Sequence, residues 1–239
     1  MEPPPLLEVR ALHPADAEAS EEGGADRIQM VGSPDDGGMS CETARFSAVL
    51  RSTSLPVRAM LRLGDGYGTT GGELSRLIGM AADYLAVGAE GVVFGFLNRD
   101  LRIDVPVCET LADAVSGTPW TFHRAIDHTL ESDRAWRELL DLPGLDSVLT
   151  AGAARGVDHG LEELTRRAAA HPDHARLMVA GGGLKPEHVP WLTRSGVRAF
   201  HVGSSVRPGG SWTKSSVDAS YVRSWRLLLD DHVAHAVTS

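Results

Sequence analysis

Pro119-Trp120-Thr121-Phe122-His123-Arg124-Ala125-Ile126-Asp127 opens as a buried strand and closes on charge. A proline stands at its edge, alternating large side chains follow, and three ionisable residues, His123, Arg124 and Asp127, crowd the end. A strand that passes from apolar packing into a charged tip builds a poor core. It suits the C-terminal mouth of a barrel, where strand ends present chemistry. The structural alternative is a satisfied core histidine beside a surface ion pair.

Outward from this stretch, strand-like and helix-like runs alternate through nearly the whole chain. Strands are predicted at Leu6–Val9, Asp26–Val31, Pro56–Arg62, Gly91–Leu97, Trp120–Arg124, Ser147–Ala151, Arg176–Ala180 and Ala199–Val202. Helices are predicted between them, near Pro14–Glu22, Cys41–Arg51, Glu73–Val87, Val105–Val115, Glu131–Leu140, Asp158–Ala170 and from Pro186, with a closing helix near Asp218–Ala234. Eight strand–helix units joined by short connections predict a parallel sheet with right-handed crossovers, closed as an α/β (β/α)8 TIM barrel. The whole chain, 1–239, reads as a single domain, with 1–5 a short arm and 217–239 the closing segment. A doubly wound open sheet is the other candidate, but no first-turn GxGxxG is present. The glycine-rich loop Gly64–Gly72 is a candidate lid or simply a mobile surface loop.

Composition narrows the function. A net charge of −9 and a pI near 5.5 argue against nucleic acid as partner. The start, Met1-Glu2-Pro3-Pro4-Pro5, does not read as a signal peptide, and no apolar run reaches membrane-spanning length. Two cysteines, Cys41 and Cys108, exclude a disulfide framework and fit a reducing cytoplasm. The expected location is therefore cytoplasmic. Trp136, Trp191, Trp212 and Trp225 are candidate contacts for a homo-oligomer or else core residues.

Alternation assigns faces. With the more apolar set turned to the helices, Glu8, Arg27, Gln29, Arg58, Met60, Arg62, Thr121, His123 and His201 point inward. Barrel centres normally carry branched apolar residues, so this many polar groups must bind one another or a ligand. Glu8, Gln29, Arg62, His123 and His201 are the candidate interior site. Gly181-Gly182-Gly183 and Gly203-Ser204-Ser205 follow the last two strands and suit a phosphate or carboxylate, with Gly182, Gly183, Ser204 and Ser205 as binding candidates.

Leu6-Leu7-Glu8-Val9, Gly23-Gly24-Ala25-Asp26-Arg27-Ile28, Gly37-Gly38-Met39-Ser40, Gly91 to Leu97, Thr121 to Asp127, Val148 to Gly152 and Ala180 to Gly183, in this order, resemble the CutC copper homeostasis family, whose members are (β/α)8 barrels. The resemblance places Glu8, Arg62, His123, Arg124, Asp127, Thr150 and His201 at the family's characteristic polar positions. It implies copper as the bound ion. The chain departs from the family where thiols are usual: Val9-Arg10 follows Glu8, and Gln29-Met30-Val31 ends the second strand. Of the Arg-Pro-Arg turn after the third strand only Arg62 remains. Copper(I) prefers soft ligands, leaving Met39 and Cys41, with His123 and His201, as metal candidates.

Three functions follow. The first is a copper-binding homeostasis protein. The second is an enzyme doing acid–base chemistry on a small anionic or phosphorylated molecule, with His123 as acid or base oriented by Asp127 or Glu8. In it His201 or Glu8 is the second proton carrier, and Arg62 and Arg124 hold the anion. The third is an inactive ligand-binding barrel.

Overall fold

In the computed structural model, eight parallel strands close in sequence order into one barrel, each strand hydrogen-bonded to its chain neighbours and β8 to β1. The structure describes residues 4–32, 38–211 and 214–236, with only the backbone of 232–236. The strands are β1 (Leu6–Ala11), β2 (Arg27–Met30), β3 (Val57–Met60), β4 (Gly91–Phe94), β5 (Trp120–Phe122), β6 (Leu145–Thr150), β7 (Met178–Gly181) and β8 (Ala199–Val202). The helices are α1 (Pro14–Gly23), α2 (Thr43–Leu50), α3 (Gly71–Ala86), α4 (Val105–Ala114), α5 (Ser132–Leu140), α6 (Val157–Ala170), α7 (Pro172–Leu177), α8 (Val189–Arg194) and α9 (Ala219–Ala236).

Local signals in the sequence explain where the helices start. Thr70 and Glu73 form a reciprocal capping box at α3, and Asp104 accepts the Val107 N–H at α4. Two expected elements differ. Arg176 and Leu177 belong to α7, which Pro172 opens, so β7 begins only at Met178. β5 ends at Phe122, and Arg124–His128 winds into a 3-10 turn. No helix among the described residues is long and apolar enough to cross a membrane. Trp136 and Trp225 are buried, Trp191 is exposed, and Trp212 lies outside the described residues.

The outward faces build the core. Leu7, Val9, Ile28, Met30, Ala59, Val92, Phe94, Trp120, Phe122, Phe200 and Val202 all pack in one apolar layer between sheet and helices. The inward faces are largely polar, and glycines on the adjoining strands make the room. Arg58 pairs in register with Gly91, and His201 with Gly181. A Cβ on Gly91 would stand 3.2 Å from Arg58 Nε, one on Gly181 2.8 Å from His201 Cβ, and one on Gly95 2.9 Å from His123 Nδ1. Each large polar side chain thus fills space that its neighbour leaves open.

Arg58 closes the N-terminal end of the barrel. It donates to Glu90, Thr121 and Asp146. A register shift between β5 and β6 pairs Trp120 with Leu145 and Thr121 with Ser147, leaving Asp146 as the extra residue that reaches Arg58. A second buried pair ties the barrel's outer layer to the C-terminal segment. Asp16 accepts two bonds from Arg207, both at 2.9 Å, and the N–H groups of Leu12 and Val217.

Substitution of two glycines should separate packing from chain entropy. A Cβ on Gly91 would meet the Pro119 carbonyl at 2.5 Å, whereas one on Gly79 in α3 meets nothing within 4 Å. Gly91→Ala should destabilise by about 1–3 kcal/mol and Gly79→Ala should stabilise by about 0.5–1 kcal/mol, as read from urea unfolding midpoints.

Candidate functional site

The C-terminal mouth holds two cavities that share Arg10 and Arg124 as walls. One, of 200 Å³, is bordered by Gln29, Met60, Arg62, Tyr67 and His123. The other, of 390 Å³, is bordered by Gly182, Gly183, Lys185, His201, Ser204 and Ser205. Four cations, Arg10, Arg62, Arg124 and Lys185, line the pair, and no described lining residue is a carboxylate.

Glu8 lies below them, fully buried. Arg27 Nε stands 2.6 Å from one of its oxygens and His201 Nδ1 2.7 Å from the other. Burial pushes the Glu8 carboxyl up, but Arg27 and the His201 hydrogen bond outweigh this and hold it far below the usual carboxylate range. His201 is shifted down, by burial first, against the opposing pull of Glu8.

His123 sits where β5 gives way to the 3-10 turn. Its Nδ1 accepts the Ala125 N–H at 3.2 Å, so the neutral ring carries its proton on Nε2. Burial, with Arg62 adding to it, pushes the imidazole down to about 3. Nε2 has no hydrogen-bond partner among the described residues, and neither does the Gln29 amide, both of whose polar atoms are buried. Tyr67, from the glycine-rich loop, meets the His123 ring edge-on with centroids 5.6 Å apart, and the Arg62 guanidinium lies 5.1 Å from the Tyr67 ring centre. The Arg62 guanidinium also donates to the Asp65 carbonyl.

Neither Asp127 nor Glu8, the two candidates for orienting His123, bonds to it: Glu8 holds Arg27 and His201. Asp127 turns away as well. It accepts from Arg124 Nε at 2.7 Å, from the Thr150 hydroxyl at 2.6 Å and from the Ala151 N–H. Burial raises its carboxyl, against those three partners. The backbone turn after β5 explains the difference, because it sends Asp127 toward β6 while Ala125 satisfies His123. Thr150 therefore braces Asp127, and Asp127 in turn fixes Arg124. Arg124 also donates to the carbonyls of Ala153 and Ala154 and lies across Gly182, where a Cβ would come within 2.7 Å of its guanidinium.

Of the metal candidates, the sulfur donors do not line the cavities that His123 and His201 border. Cys41 is buried in the core, where the Tyr84 hydroxyl donates to its carbonyl, and burial raises its thiol. Cys108 is buried in α4 with its thiol pushed up to about 12 by burial. Neither cysteine borders the cavities, nor does Met39. Among the described residues the one cluster of three possible donors is Asp158, Glu187 and His188, tied to Lys185 at 2.8 Å. That hard oxygen and nitrogen set does not suit copper(I), and the residues present do not form a thiolate copper centre.

Arg10, Tyr67 and Lys185 escaped the sequence reading. β1 runs two residues further than expected, and alternation from Glu8 then carries Arg10 inward. Burial first, then Arg124 and Arg207, push Arg10 down to about 10.

Residues 6–206 match the model of the CutC family. The chain belongs to the CutC family. It is 30% identical over 213 residues to a CutC family protein of Klebsiella pneumoniae (strain 342), covering 89% of this chain and 83% of that one. A CutC family protein of Bacteroides fragilis (strain YCH46) is 31% identical over 209 residues, 83% of this chain and 80% of that protein. A CutC structure from Streptococcus agalactiae superposes with a TM-score of 0.74 at 21% identity, covering 83% of this chain and 98% of that one. At that identity the superposition speaks to the fold. For the family, these matches agree with the motifs from Leu6 to Gly183.

The buried ring gives an acid response with a definite sign. An unfolded histidine takes up its proton near pH 6.5, whereas folded His123 resists until about pH 3. Its contribution is intact above pH 6.5 and is lost progressively as pH falls between those values, by at most about 1.4 kcal/mol per pH unit. Urea unfolding at pH 7 and pH 5 should show stability falling with acid, and less steeply in His123→Gln. An equal slope in both proteins would remove His123 as a cause.

Proposed function

We propose that the barrel mouth binds a small oxyanion, a phosphate or carboxylate carried on a small molecule, and does acid–base chemistry on it. The observation that carries this reading is the lining of the two neighbouring cavities: Arg10, Arg62, Arg124 and Lys185 with no described carboxylate in the lining, the Asp127 partner of Arg124 and the Asp158 partner of Lys185 lying outside it. Such a wall attracts an anion and stabilises negative charge that develops on it. His123 serves as a neutral hydrogen-bond donor through Nε2–H, and the Gln29 amide, without a partner among the described residues, adds a donor and an acceptor. Gly182, Gly183, Ser204 and Ser205 give a phosphate group an uncrowded wall. Thr150 and Asp127 act through Arg124, and Tyr67 closes the His123 side of the cavity.

Family membership, and the name of the Streptococcus agalactiae relative, support a part in copper homeostasis in general terms. The donor chemistry favours reaching that role through a small anion in the cytoplasm and not through a thiolate-held ion. A ligand-filled barrel accounts for the inward polar set more fully than an empty one does, because buried polar atoms without described partners carry a cost that a ligand relieves.

Calorimetry with inorganic phosphate and with 2-phosphoglycolate tests the reading. A hydrogen bond to a charged group contributes about 1.5–3 kcal/mol, so His123→Ala and Arg124→Lys should each weaken binding by roughly ten- to a hundredfold. Circular dichroism checks that each variant keeps its fold. No heat of binding with either anion, or equal affinity in wild type and both variants, contradicts the proposal. In a separate titration, Cys41→Ser and Cys108→Ser together should leave copper(I) stoichiometry unchanged under reducing conditions. A loss of one bound ion would restore the thiolate reading.

A further inference from the structure

The two mouth histidines are held in opposite ways. His123 accepts a backbone N–H at Nδ1, which leaves the proton on Nε2. His201 turns Nδ1 to Glu8 Oε1 at 2.7 Å. An ionised carboxylate can only accept, so His201 carries its proton on Nδ1 and a lone pair on Nε2. That Nε2 is buried without a hydrogen-bond partner among the described residues, and the ring borders the 390 Å³ cavity with Arg10, Arg124 and Lys185. Gly181 leaves room for the His201 Cβ and backbone, and β1 and β8 fix its pairing with Glu8 in register.

We infer that His201 is the proton acceptor of this site, with Glu8 as its positioning residue, an assignment that rests on the oxyanion-binding reading of the mouth. A ligand in the cavity offers a C–H beside a carbonyl, or an O–H. His201 Nε2 takes that proton: an N–H bond forms, the C–H or O–H bond breaks, and the electron pair stays on the ligand as an enolate or alkoxide oxyanion beside Arg10 and Arg124. The imidazolium, held by Glu8 at Nδ1, then returns the proton to the same or a neighbouring ligand atom. Nothing is oxidised or reduced. His123 cannot share this task, because its Nε2 already holds a proton and its Nδ1 faces the backbone. It donates to the oxyanion instead.

The charged groups around His201 set its response. Glu8 on β1 favours the imidazolium; Arg10 on β1 and Arg27 on β2 oppose it, and burial opposes it most. Arg124 and Lys185 border the same cavity from the turn after β5 and the loop after β7. The ring is therefore neutral and able to accept in the free protein, and an arriving anion offsets the cations and favours protonation. A pair that merely braces the barrel would not answer to an anion.

The test is nitrogen-15 NMR of the imidazole rings in the labelled protein, with and without millimolar 2-phosphoglycolate, which carries one phosphate and one carboxylate. His201 is assigned through its own backbone, and loss of the signal in His201→Gln confirms it. In the free protein His201 should show a protonated Nδ1 and a lone-pair Nε2. With the probe it should move to the doubly protonated pattern, its titration midpoint rising by about 1–3 pH units, while His123 keeps its Nε2 proton. Glu8→Gln should lower the midpoint both with and without the probe. Wild type alone suffices if this variant does not fold. Signals of His123 or Arg124 that move while His201 stays neutral would overturn the inference and leave anion binding standing. A probe that moves no signal at the mouth would overturn the oxyanion reading and the inference with it.

Discussion

A carboxylate in the middle of a barrel has to be neutralised from within it, and Glu8 sets that condition for everything above it. Arg27 meets one oxygen and His201 the other, each from a strand paired with β1. The closure of β8 on β1 is therefore also the closure of this triad. Losing Arg27 would leave a buried carboxylate uncompensated, which is far costlier than losing a surface pair, and losing His201 would leave one of its oxygens without a hydrogen bond. The same arrangement fixes the His201 tautomer, so a stabilising contact and a chemical property share one geometry. Inward glycines at 91, 95 and 181 make this possible by leaving space beside Arg58, His123 and His201.

Much of this was legible in the sequence. Strand–helix alternation sufficed for the eight-stranded barrel, because each unit has its own apolar pattern and turn signals. The side-chain period of two then placed Glu8, Gln29, His123 and His201 inside, and they are inside. What the period cannot carry is the direction of a polar atom. Asp127 lies four residues from His123, yet a 3-10 turn sends it to Thr150 and Arg124, and only the backbone of Ala125 decides the His123 tautomer. Arg10 was hidden by a strand end placed two residues short. The register shift that sends Asp146 to Arg58 depends on pairing between strands and has no mark in either strand alone.

The CutC family match and the donor chemistry answer different questions. The family match sets lineage and fold, while the reactive atoms of this chain show what its mouth can hold. Both thiols are buried away from the cavities, and burial keeps them protonated. The mouth itself is a donor surface: four cations, a neutral imidazole N–H and an amide. Such a surface is selective by charge before shape, since a cationic ligand would meet four cations in the lining, even with Arg124 paired to Asp127 and Lys185 to Asp158.

The central claim is that the mouth presents one histidine as a neutral donor and another as an acceptor. Neutron diffraction from deuterium-exchanged crystals near pH 7 reads this directly. The account predicts deuterium on His123 Nε2 and on His201 Nδ1, with none on the Glu8 oxygens. Deuterium on His123 Nδ1 or on His201 Nε2 would contradict it.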